Sequence, residues 1–478
     1  MSHTASDNHT ATRSVDVAII GAGTAGQQAF KQARKQTDNV VIINDGYWTT
    51  TCATVGCMPS KLLIAAADRA HAANCSDEFG IEGRAVINGK QVMKRVQDLR
   101  DFFTSHVMTQ VDSWDEEAKI SGRATINKDG LIEVNDEIIA AKQIIIATGS
   151  SPFVADTWSD KLGDRLYTSD TIFELEDLPN SMAVVGAGAI GLELAQSFQR
   201  LGVQVTLFNR SQRLGGIKDP KVNERAYQCL SQELNFELDS EIKDVGVDND
   251  QAFIHYLDKD GNTQTWSGDY VLAATGRRNN LDNLGIENLG VRLDDTNRPM
   301  DLNKNTGQIG DLNVYIVGDA NAHLPLLHVA SDEGFSAGSA VCKDDIGAYI
   351  KPPATPIAIV FCEPQIASVG QSSTELDASA TPYAIGEVDF GSQGRSRVMG
   401  ANCGLLRIYG CKQTNKILGA SMVGPDAEYI AHILATAMTN DLTIKQLLDA
   451  PFYHPTILEG LRTALREIQD KMQIPHQS

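Results

Sequence analysis

The chain has 478 residues, of which 42% are hydrophobic and 21% charged, and its formal net charge is −20. This composition is typical of a globular protein rather than a disordered one, and the length predicts about three domains. The acidic balance argues against nucleic acid as a partner, because phosphate binding needs clustered Lys and Arg. No apolar run reaches the roughly 18 residues that a membrane helix requires, so no membrane association is predicted.

The first 14 residues, MSHTASDNHTATRS, are polar and contain no apolar core segment. They predict a frayed tail and no signal peptide. The cysteines are too sparse for a secreted disulfide framework, since they stand at positions 52, 57, 75, 229, 342, 362, 403 and 411. These features together predict a cytoplasmic protein, in which a disulfide is usually transient and catalytic.

Two segments, 15–26 (VDVAIIGAGTAG) and 182–191 (MAVVGAGAIG), each join an apolar strand-like run to a GxGxxG pattern and then to a helix-like stretch. In such a unit the first glycine makes a tight turn, the second admits a pyrophosphate, and the third packs helix against strand. The phosphate lies at the helix N-terminus, where free N–H groups favour an anion. We therefore predict two dinucleotide sites, built on Gly21, Gly23, Gly26, Gly186, Gly188 and Gly191.

Three later apolar runs read as further strands of these folds: 143–152 (QIIIATGSSP), 270–279 (YVLAATGRRN) and 314–322 (VYIVGDANA). A strand that ends on an acidic residue can direct a carboxylate at a ribose or ribityl hydroxyl. The candidate cofactor-binding residues at these strand ends are Thr148, Gly149, Gly276 and Asp319. Two dinucleotides in one chain suggest hydride transfer between them.

Residues 49–61, TTTCATVGCMPSK, place Cys52 and Cys57 five positions apart, ahead of the helix-like SKLLIAAADRAHAA. A metal site, a structural disulfide and a redox-active pair would all explain two such thiols. A reducing compartment weakens the structural disulfide. A zinc site would require a second ligand pair, and the neighbouring sequence has none, although distant ligands stay open.

The motifs follow one another in the order of the flavoprotein disulfide reductases, the class I pyridine nucleotide-disulfide oxidoreductases: GxGxxG, Cys-x4-Cys-Met-Pro-Ser-Lys, a second GxGxxG, Gly318-Asp319, and His454-Pro-Thr-x-x-Glu459. The chain resembles this family over essentially its whole length beyond the tail. TPIAIVFCEPQIASVG and NKILGASMVGPDAEYI are similar to the family's dimerisation domain. Pro-Ser-Lys, GAGAIGLE and HPTILEGL are most similar to the dihydrolipoamide dehydrogenases within it.

The resemblance implies an α/β fold with two Rossmann-like dinucleotide-binding domains, for FAD and NAD(P), and a C-terminal α+β dimerisation domain. We expect a disordered tail and then four segments, with Pro352-Pro353 as the last linker. The expected segments are 1–14 (tail), 15–154 (FAD-binding, first part), 155–285 (NAD(P)-binding), 286–351 (central and FAD-binding, second part) and 352–478 (interface).

The resemblance also implies roles for the chemical groups. Cys52 would be the interchange thiol that meets the substrate sulfur, and Cys57 would contact the flavin. A thiolate at a helix N-terminus has a lowered pKa and reacts readily. His454 would be the acid–base, held in one tautomer by Glu459, and both would reach the disulfide from the other subunit of a homodimer.

Lys61 and Glu193 would form a pair near the flavin and nicotinamide. The remaining implied cofactor-binding residues are Asn44, Asp45, Thr51, Asn209 and Arg210. No metal is expected. The other six cysteines, at 75, 229, 342, 362, 403 and 411, are predicted to be buried small hydrophobes.

Several positions depart from the family pattern. Asn44 stands where an acid usually binds the adenosine ribose, and Thr49-Thr50 replaces a usual Gly-Gly. Asn209 stands where NAD-specific folds carry an acid, and Arg210 and Arg213 follow, as expected for NADP. Gly216 stands where glutathione-type reductases carry their second arginine, so the choice between NAD and NADP stays open. Phe452 replaces a His that is frequent two residues before the catalytic one.

The sequence thus predicts an FAD-dependent disulfide oxidoreductase, foremost a dihydrolipoamide dehydrogenase acting on a small dithiol. The alternative is an NADPH-dependent reductase of a low-molecular-weight disulfide, resembling glutathione or mycothiol reductase, which Ile190 disfavours. A soluble transhydrogenase is disfavoured because both thiols are present. A scaffolding subunit of a 2-oxoacid dehydrogenase complex is disfavoured by the intact redox motif, although binding to such a core alongside catalysis is compatible with it.

Overall fold

The structure is a computed structural model that describes residues 10–341, 351 and 355–473. The strands are β1 Arg13–Ile20, β2 Val40–Asn44, β3 Lys119–Ser121, β4 Thr125–Ile126, β5 Ile132–Val134, β6 Glu137–Ile146, β7 Ser150–Pro152, β8 Leu166–Thr168, β9 Ser181–Val185, β10 Gln204–Asn209, β11 Asn235–Leu238, β12 Glu241–Asp248, β13 Gln251–Leu257, β14 Thr263–Gly268, β15 Tyr270–Ala273, β16 Arg277–Asn279, β17 Val314–Ile316, β18 Ile357–Val360, β19 Gln365–Gly370, β20 Tyr383–Asp389, β21 Leu405–Cys411 and β22 Ile417–Gly424.

The α-helices are α1 Thr24–Ala33, α2 Thr51–Thr54, α3 Cys57–Asn74, α4 Gly89–Asp112, α5 Asp156–Leu162, α6 Ala189–Arg200, α7 Pro220–Leu230, α8 Leu327–Ala340, α9 Ser373–Ala378, α10 Gly394–Val398, α11 Ala427–Thr439, α12 Ile444–Leu448 and α13 Leu458–Lys471. Among the described residues, no helix combines the length and apolarity needed to traverse a bilayer.

The chain divides into two compact units. The first is drawn from Met1–Pro59, Asp98–Phe153 and Arg277–Pro353. The second is drawn from Ser60–Gln97, Val154–Gly276 and Ala354–Ser478. The five-segment division expected from the sequence remains a prediction. Its boundary at Pro352-Pro353 lies outside the described residues, and β1 begins at Arg13, within the expected tail.

The first unit is built on a seven-stranded sheet of order β3-β2-β1-β6-β5-β4, with β17 paired to β6. Strands β3, β2, β1, β6 and β17 are parallel, so their carboxyl ends share one edge. β1 is buried on both faces along its apolar C-terminal half: Val17 and Ile19 pack on one side, and Ala18 and Ile20 on the other. Such two-sided burial is the property of a central parallel strand.

Small residues allow α1 and α8 to lie against each other on this sheet. A Cβ at Gly334 would overlap the carbonyl oxygen of Ala25, and a Cβ at Gly338 would overlap that of Ala29. Close packing of the two helices positions the start of α1 beside the sheet edge, where the first glycine pattern lies.

The second unit contains a parallel five-stranded sheet of order β11-β10-β9-β15-β8 and an antiparallel three-stranded sheet of order β12-β13-β14. Its C-terminal part is an antiparallel five-stranded sheet of order β18-β19-β22-β21-β20. Helices α11, α12 and α13 contribute to an apolar core together with this sheet. The first sheet, with its parallel strands β3, β2, β1, β6 and β17, the parallel sheet of the second unit and the α+β C-terminal part confirm the predicted fold class.

Candidate active site

The first glycine pattern forms a turn between β1 and α1. Gly21 has φ +105°, and a Cβ there would overlap the carbonyl oxygen of Ala147. A Cβ at Gly26 would overlap the carbonyl oxygen of Gly21, whereas a Cβ at Gly23 would meet no atom within 4 Å. Two glycines therefore pack the turn tightly, and the middle one faces open space at the N-terminus of α1. That is the arrangement a pyrophosphate needs.

Polar groups surround this turn at the ends of neighbouring strands. Asn44, the last residue of β2, accepts the Ala22 N–H at its Oδ1 (2.9 Å) and donates from Nδ2 to the Tyr47 carbonyl (3.0 Å). The Oγ1 of Thr148, just after β6, is buried without a hydrogen-bond partner among the described residues. An orphaned buried hydroxyl beside an open glycine turn fits a ligand that would satisfy it.

Asp319 follows β17 and accepts a hydrogen bond from Ser150 Oγ (2.7 Å). The turn that carries Asp319 is braced by Glu333, a residue of α8 that sequence reasoning missed. Glu333 Oε2 accepts the Gly318 N–H (2.7 Å) and the Asn321 side-chain N–H (2.8 Å). Burial raises the pKa of Glu333 to about 7, although these two hydrogen bonds oppose the rise.

The second glycine pattern has the same geometry between β9 and α6. Gly186 has φ +112°, and a Cβ there would overlap the carbonyl oxygen of Ala274. A Cβ at Gly191 would overlap the carbonyl oxygen of Gly186. A Cβ at Gly188 would again meet no atom within 4 Å. Both glycine patterns therefore meet the geometric requirements of dinucleotide binding.

Asn209, at the end of β10, repeats the role of Asn44. Its Oδ1 accepts the Ala187 N–H (3.2 Å), and its Nδ2 donates to the Ser211 carbonyl (2.8 Å) and the Arg213 carbonyl (3.2 Å). Arg210 and Arg213 are exposed, and no carboxylate of the described residues forms an ion pair with either. In NAD-specific folds this strand end carries an acid that binds the ribose hydroxyls. Here it carries the amide of Asn209, followed by the exposed guanidinium groups of Arg210 and Arg213.

Other predicted cofactor-binding residues lie on the same strand ends and loops. Gly149 has φ +70°, Gly276 has φ +110°, and neither would place a Cβ within 4 Å of another atom. Asp45 is exposed and lies 3.9 Å from Arg123, so its carboxylate is partly committed to that cation. Thr51 is the exposed first residue of α2. The geometry supports the glycines more directly than it supports Asp45 and Thr51.

The two thiols of the motif occupy successive short structures. Cys52 is half-buried in α2, and Cys57 is the first residue of the 18-residue helix α3. The turn between them depends on Gly56, where a Cβ would lie 3.0 Å from the Thr51 carbonyl oxygen and 3.3 Å from the Cys52 Cα. Cys57 therefore stands at a helix N-terminus, where unsatisfied N–H groups favour a thiolate.

Lys61 follows four residues later in α3, and its Nζ lies 2.7 Å from Glu193 Oε2 in α6. The Glu193 side chain is 7% exposed, and its Oε1 accepts the Phe361 N–H (2.9 Å). The Lys61 ammonium also lies 4.4 Å from the centroid of the Phe361 ring. The structure thus contains the pair expected from the sequence and adds Phe361, which sequence reasoning missed.

His454 and Glu459 lie together at the start of α13. His454 Nδ1 is 2.9 Å from Glu459 Oε2, and the imidazole is 80% exposed, so Nε2 is available to an incoming group. Arg462 Nη2 donates to Glu459 Oε1 (3.2 Å), and its guanidinium lies over the Phe452 ring at 6.0 Å. The hydrogen bond to His454, aided by Thr456 N–H and Arg462, lowers the pKa of Glu459.

The remaining cysteines correct one expectation. Cys229 and Cys403 form a disulfide across 174 residues and are not separate small hydrophobes. The prediction is also wrong for Cys75, which is exposed near the end of α3, whereas Cys362 and Cys411 are buried as predicted. Cys342 lies outside the described residues. The low density of cysteines in the sequence could not exclude this disulfide. Cys229 and Cys403 are far apart in the chain, and only the fold brings them together.

Two glycine-turn dinucleotide sites, a thiol at a helix N-terminus and a carboxylate-held imidazole define a dinucleotide-dependent thiol–disulfide oxidoreductase. The sequence profile of the pyridine nucleotide-disulphide oxidoreductases matches residues 15–334, and that of their dimerisation domain matches residues 356–465. The chain belongs to this family. It is accordingly an FAD-containing oxidoreductase that uses a nicotinamide nucleotide, and the open glycine turns and the orphaned Thr148 hydroxyl fit such cofactors.

Curated relatives carry different names. A dihydrolipoyl dehydrogenase from Chlamydia muridarum is 28% identical over 96% of this chain and 98% of its own length. A mitochondrial dihydrolipoyl dehydrogenase from Sus scrofa is 30% identical over 94% of this chain and 89% of its own. A soluble pyridine nucleotide transhydrogenase from Hahella chejuensis is also 30% identical, over 94% of this chain and 97% of its own.

Solved structures share the fold. The Cu(II) complex of the HOCl-induced flavoprotein disulfide reductase RclA from Escherichia coli has a TM-score of 0.79 at 20% identity, covering 95% of this chain and 99% of that one. LpdA from Mycobacterium tuberculosis has a TM-score of 0.79 at 22% identity, with the same coverage. These similarities concern the fold.

Proposed function

We propose that this protein is a dihydrolipoyl dehydrogenase, which oxidises dihydrolipoamide or a closely similar small dithiol and delivers the electrons to NAD(P)+. The observation that supports this most is the hydrogen bond between His454 Nδ1 and Glu459 Oε2, in a chain that also places Cys57 at a helix N-terminus. A base and a reactive thiol pair are what dithiol oxidation requires.

The proposed reaction begins when His454 Nε2 takes a proton from one substrate thiol. The resulting thiolate attacks Cys52 Sγ of a Cys52–Cys57 disulfide, and Cys57 leaves as a thiolate stabilised by the N-terminus of α3. The second substrate thiol passes its proton to Cys52 Sγ and attacks the mixed disulfide, so the substrate disulfide closes and Cys52 is released as a thiol. The substrate is oxidised by two electrons, and the protein disulfide is reduced by two.

Bound FAD would carry these two electrons from the protein dithiol to NAD(P)+. In this proposal Gly23 and Gly188 admit the pyrophosphates of the two cofactors, because each leaves open space at a helix N-terminus. The buried Thr148 hydroxyl would form a hydrogen bond with the flavin nucleotide. Lys61 and Glu193 would hold each other in fixed positions near the flavin and the nicotinamide ring.

We further propose a homodimer in which His454 and Glu459 serve the thiols of the partner subunit. The match of residues 356–465 to the family's dimerisation domain supports this assembly. A cytoplasmic location and binding to the core of a 2-oxoacid dehydrogenase complex belong to the same proposal. Co-purification with an acyltransferase core would test the latter.

The test is steady-state turnover of the purified yellow protein with dihydrolipoamide, using NAD+ and NADP+ in parallel. We expect rapid reduction of at least one nucleotide and loss of that activity in Cys52→Ser. Cys75→Ser is the matched control, because it replaces an exposed cysteine outside the motif and should retain activity. Absence of turnover with both nucleotides, in protein that still contains FAD, would refute the lipoamide assignment.

A second candidate is an NADPH-dependent reductase of a low-molecular-weight disulfide. It is favoured by Asn209 in place of an acid and by the exposed side chains of Arg210 and Arg213, which form no ion pair within the described part of the chain. Arginines at this position recognise a 2′-phosphate. NADPH oxidation driven by glutathione disulfide or mycothiol disulfide, at a rate above that with lipoamide, would select this candidate over the first.

A further inference from the structure

The disulfide between Cys229 and Cys403 joins two parts of the second unit. Cys229 lies in the last turn of α7, which follows the nucleotide loop, and Cys403 lies just before β21 of the C-terminal sheet. Their Cα atoms are 5.8 Å apart, within the usual range for bridged cysteines. Cys229 is 6% exposed and Cys403 is half-buried, so a small thiol has access mainly through Cys403.

Helix α7 is held to the same sheet at its other end. Asp219, its N-cap, accepts hydrogen bonds at Oδ2 from Arg407 Nη1 and Tyr409 Oη, both at 2.6 Å. In the middle of the helix, Arg225 forms two 2.8 Å hydrogen bonds with Asp389. Helix α7 is therefore attached to the C-terminal sheet along its length, by hydrogen bonds at its start and middle and by the disulfide at its end.

Helix α7 in turn positions the loop that carries the nucleotide-selecting residues. Asn223 of α7 accepts the Leu214 N–H at Oδ1 (2.9 Å) and donates from Nδ2 to the Gln212 carbonyl (2.8 Å). These two hydrogen bonds brace the segment that contains Arg210 and Arg213. A shift of α7 would therefore move this loop, because the loop takes two of its hydrogen bonds from the helix.

We propose that Cys229 and Cys403 are a second redox-active pair, a modification site for low-molecular-weight thiols and disulfides, whose oxidation clamps α7 and thereby tightens nicotinamide nucleotide binding. The pair is separate from the Cys52/Cys57 motif, and the inference does not depend on which dithiol the enzyme oxidises. It requires only that the protein encounters a thiol–disulfide couple.

The exchange is balanced by two molecules of a small thiol. A thiolate attacks Cys403 Sγ, the Cys229–Cys403 bond breaks, and Cys229 leaves as a thiolate that takes a proton. A second thiolate attacks the small-molecule sulfur of the mixed disulfide and releases Cys403, which is protonated in turn. The protein gains two electrons and two protons, and the two small thiols become one disulfide; oxidation is the reverse.

The first measurement is the state of the pair in the purified full-length protein, equilibrated in reduced and oxidised glutathione buffers. Free thiols are blocked, and the protein is digested without reductant and mapped by mass spectrometry. We expect a linked peptide pair containing Cys229 and Cys403 in oxidised buffer and two blocked cysteines in reduced buffer. Blocked, unlinked cysteines in every buffer would overturn the proposal.

The second measurement is calorimetric binding of ADP-ribose and of its 2′-phosphate in both buffers, since these fragments of NAD and NADP lack the nicotinamide ring and exchange no electrons with the protein. We expect the Kd of the better-bound nucleotide to rise about threefold or more on reduction. Cys411→Ser, which alters a buried unbridged cysteine of β21, should keep this difference, and Cys229→Ser should remove it.

This comparison separates the second pair from Cys52 and Cys57, which both variants retain. A linked peptide pair with a Kd that is equal in the two buffers would refute the clamp. So would a buffer effect that persists in Cys229→Ser. If Cys229→Ser does not fold, the wild-type Kd in the two buffers still decides, together with Cys403→Ser.

Discussion

Asn209 Oδ1 accepts the backbone N–H of Ala187 at 3.2 Å, and Asn44 Oδ1 accepts that of Ala22 at 2.9 Å. Each amide thus holds the residue directly after the first glycine of its dinucleotide fingerprint. The two nucleotide folds thus share one contact, in which an asparagine at the end of the second strand forms a hydrogen bond with the glycine turn. The acid that usually stands there would instead take ribose hydroxyls.

The first prediction concerns nucleotide choice. Replacing Asn209 with Glu should shift the ratio of kcat/KM for NAD+ over NADP+ upward by about tenfold, because a carboxylate accepts both ribose hydroxyls and repels a 2′-phosphate. Steady-state kinetics with both nucleotides measures this ratio. Asn44→Glu is the matched control in the other fold and should leave the ratio unchanged; an unchanged ratio in Asn209→Glu would contradict the assignment.

The second prediction concerns the acid–base pair. Glu459→Gln should lower kcat with the dithiol by about 100-fold, because the neutral amide no longer stabilises a positive imidazole. The lowered pKa of Glu459 means that the carboxylate stays charged down to pH values below the ordinary 4.5, and its contribution is lost only as pH falls through the folded value. A kcat within twofold of wild type at pH 8 would show that Glu459 does not orient His454.

The third prediction concerns Arg462 as a positioning residue. Arg462→Gln removes the hydrogen bond to Glu459 Oε1 and the guanidinium above Phe452, so Glu459 should lose one of its two fixed oxygens. We expect kcat to fall by about threefold to tenfold with KM nearly unchanged. Arg462→Lys should recover part of the loss. A fall confined to KM would indicate a role in binding the dithiol instead.

The fourth prediction concerns the buried N-cap of α7. Asp219→Asn should reduce the free energy of unfolding by about 3 kcal/mol at pH 7, because it leaves Arg407 without its buried partner. Asp389→Asn, which disrupts the more exposed pair with Arg225, should cost about 1 kcal/mol or less. Urea unfolding of both variants measures the difference, and equal costs would contradict the importance of burial.

The pH dependence of this effect has a definite sign. Burial raises the pKa of Asp219, but the hydrogen bonds from Tyr409 and Arg407 outweigh it and hold that pKa below the ordinary 3.8. The stabilisation from the charged form is therefore complete above pH 4 and lost as pH falls through the folded pKa. The wild-type advantage over Asp219→Asn should shrink in acid; an advantage that grows in acid would argue against a charged Asp219.

Local patterns were sufficient for much of the site. A GxGxxG between an apolar strand and a helix specifies its own turn, because only glycine tolerates the φ of Gly21 and Gly186 and the backbone contacts there. Cys57 at a helix start and the five-residue spacing of His454 and Glu459 are likewise short-range features. The family and the fold class predicted from these motifs are confirmed.

The tertiary structure decided what depends on residues far apart in the chain. Cys229 is bonded to Cys403 across 174 residues, and Phe361 donates its backbone N–H to Glu193. The Asn209 side chain accepts a hydrogen bond from the glycine turn, so its amide is not wholly available to a ligand. None of these contacts has a signature in local periodicity, because each arises where separate elements pack. The sequence by itself determined the chemical groups and their order, and packing determined which of them touch.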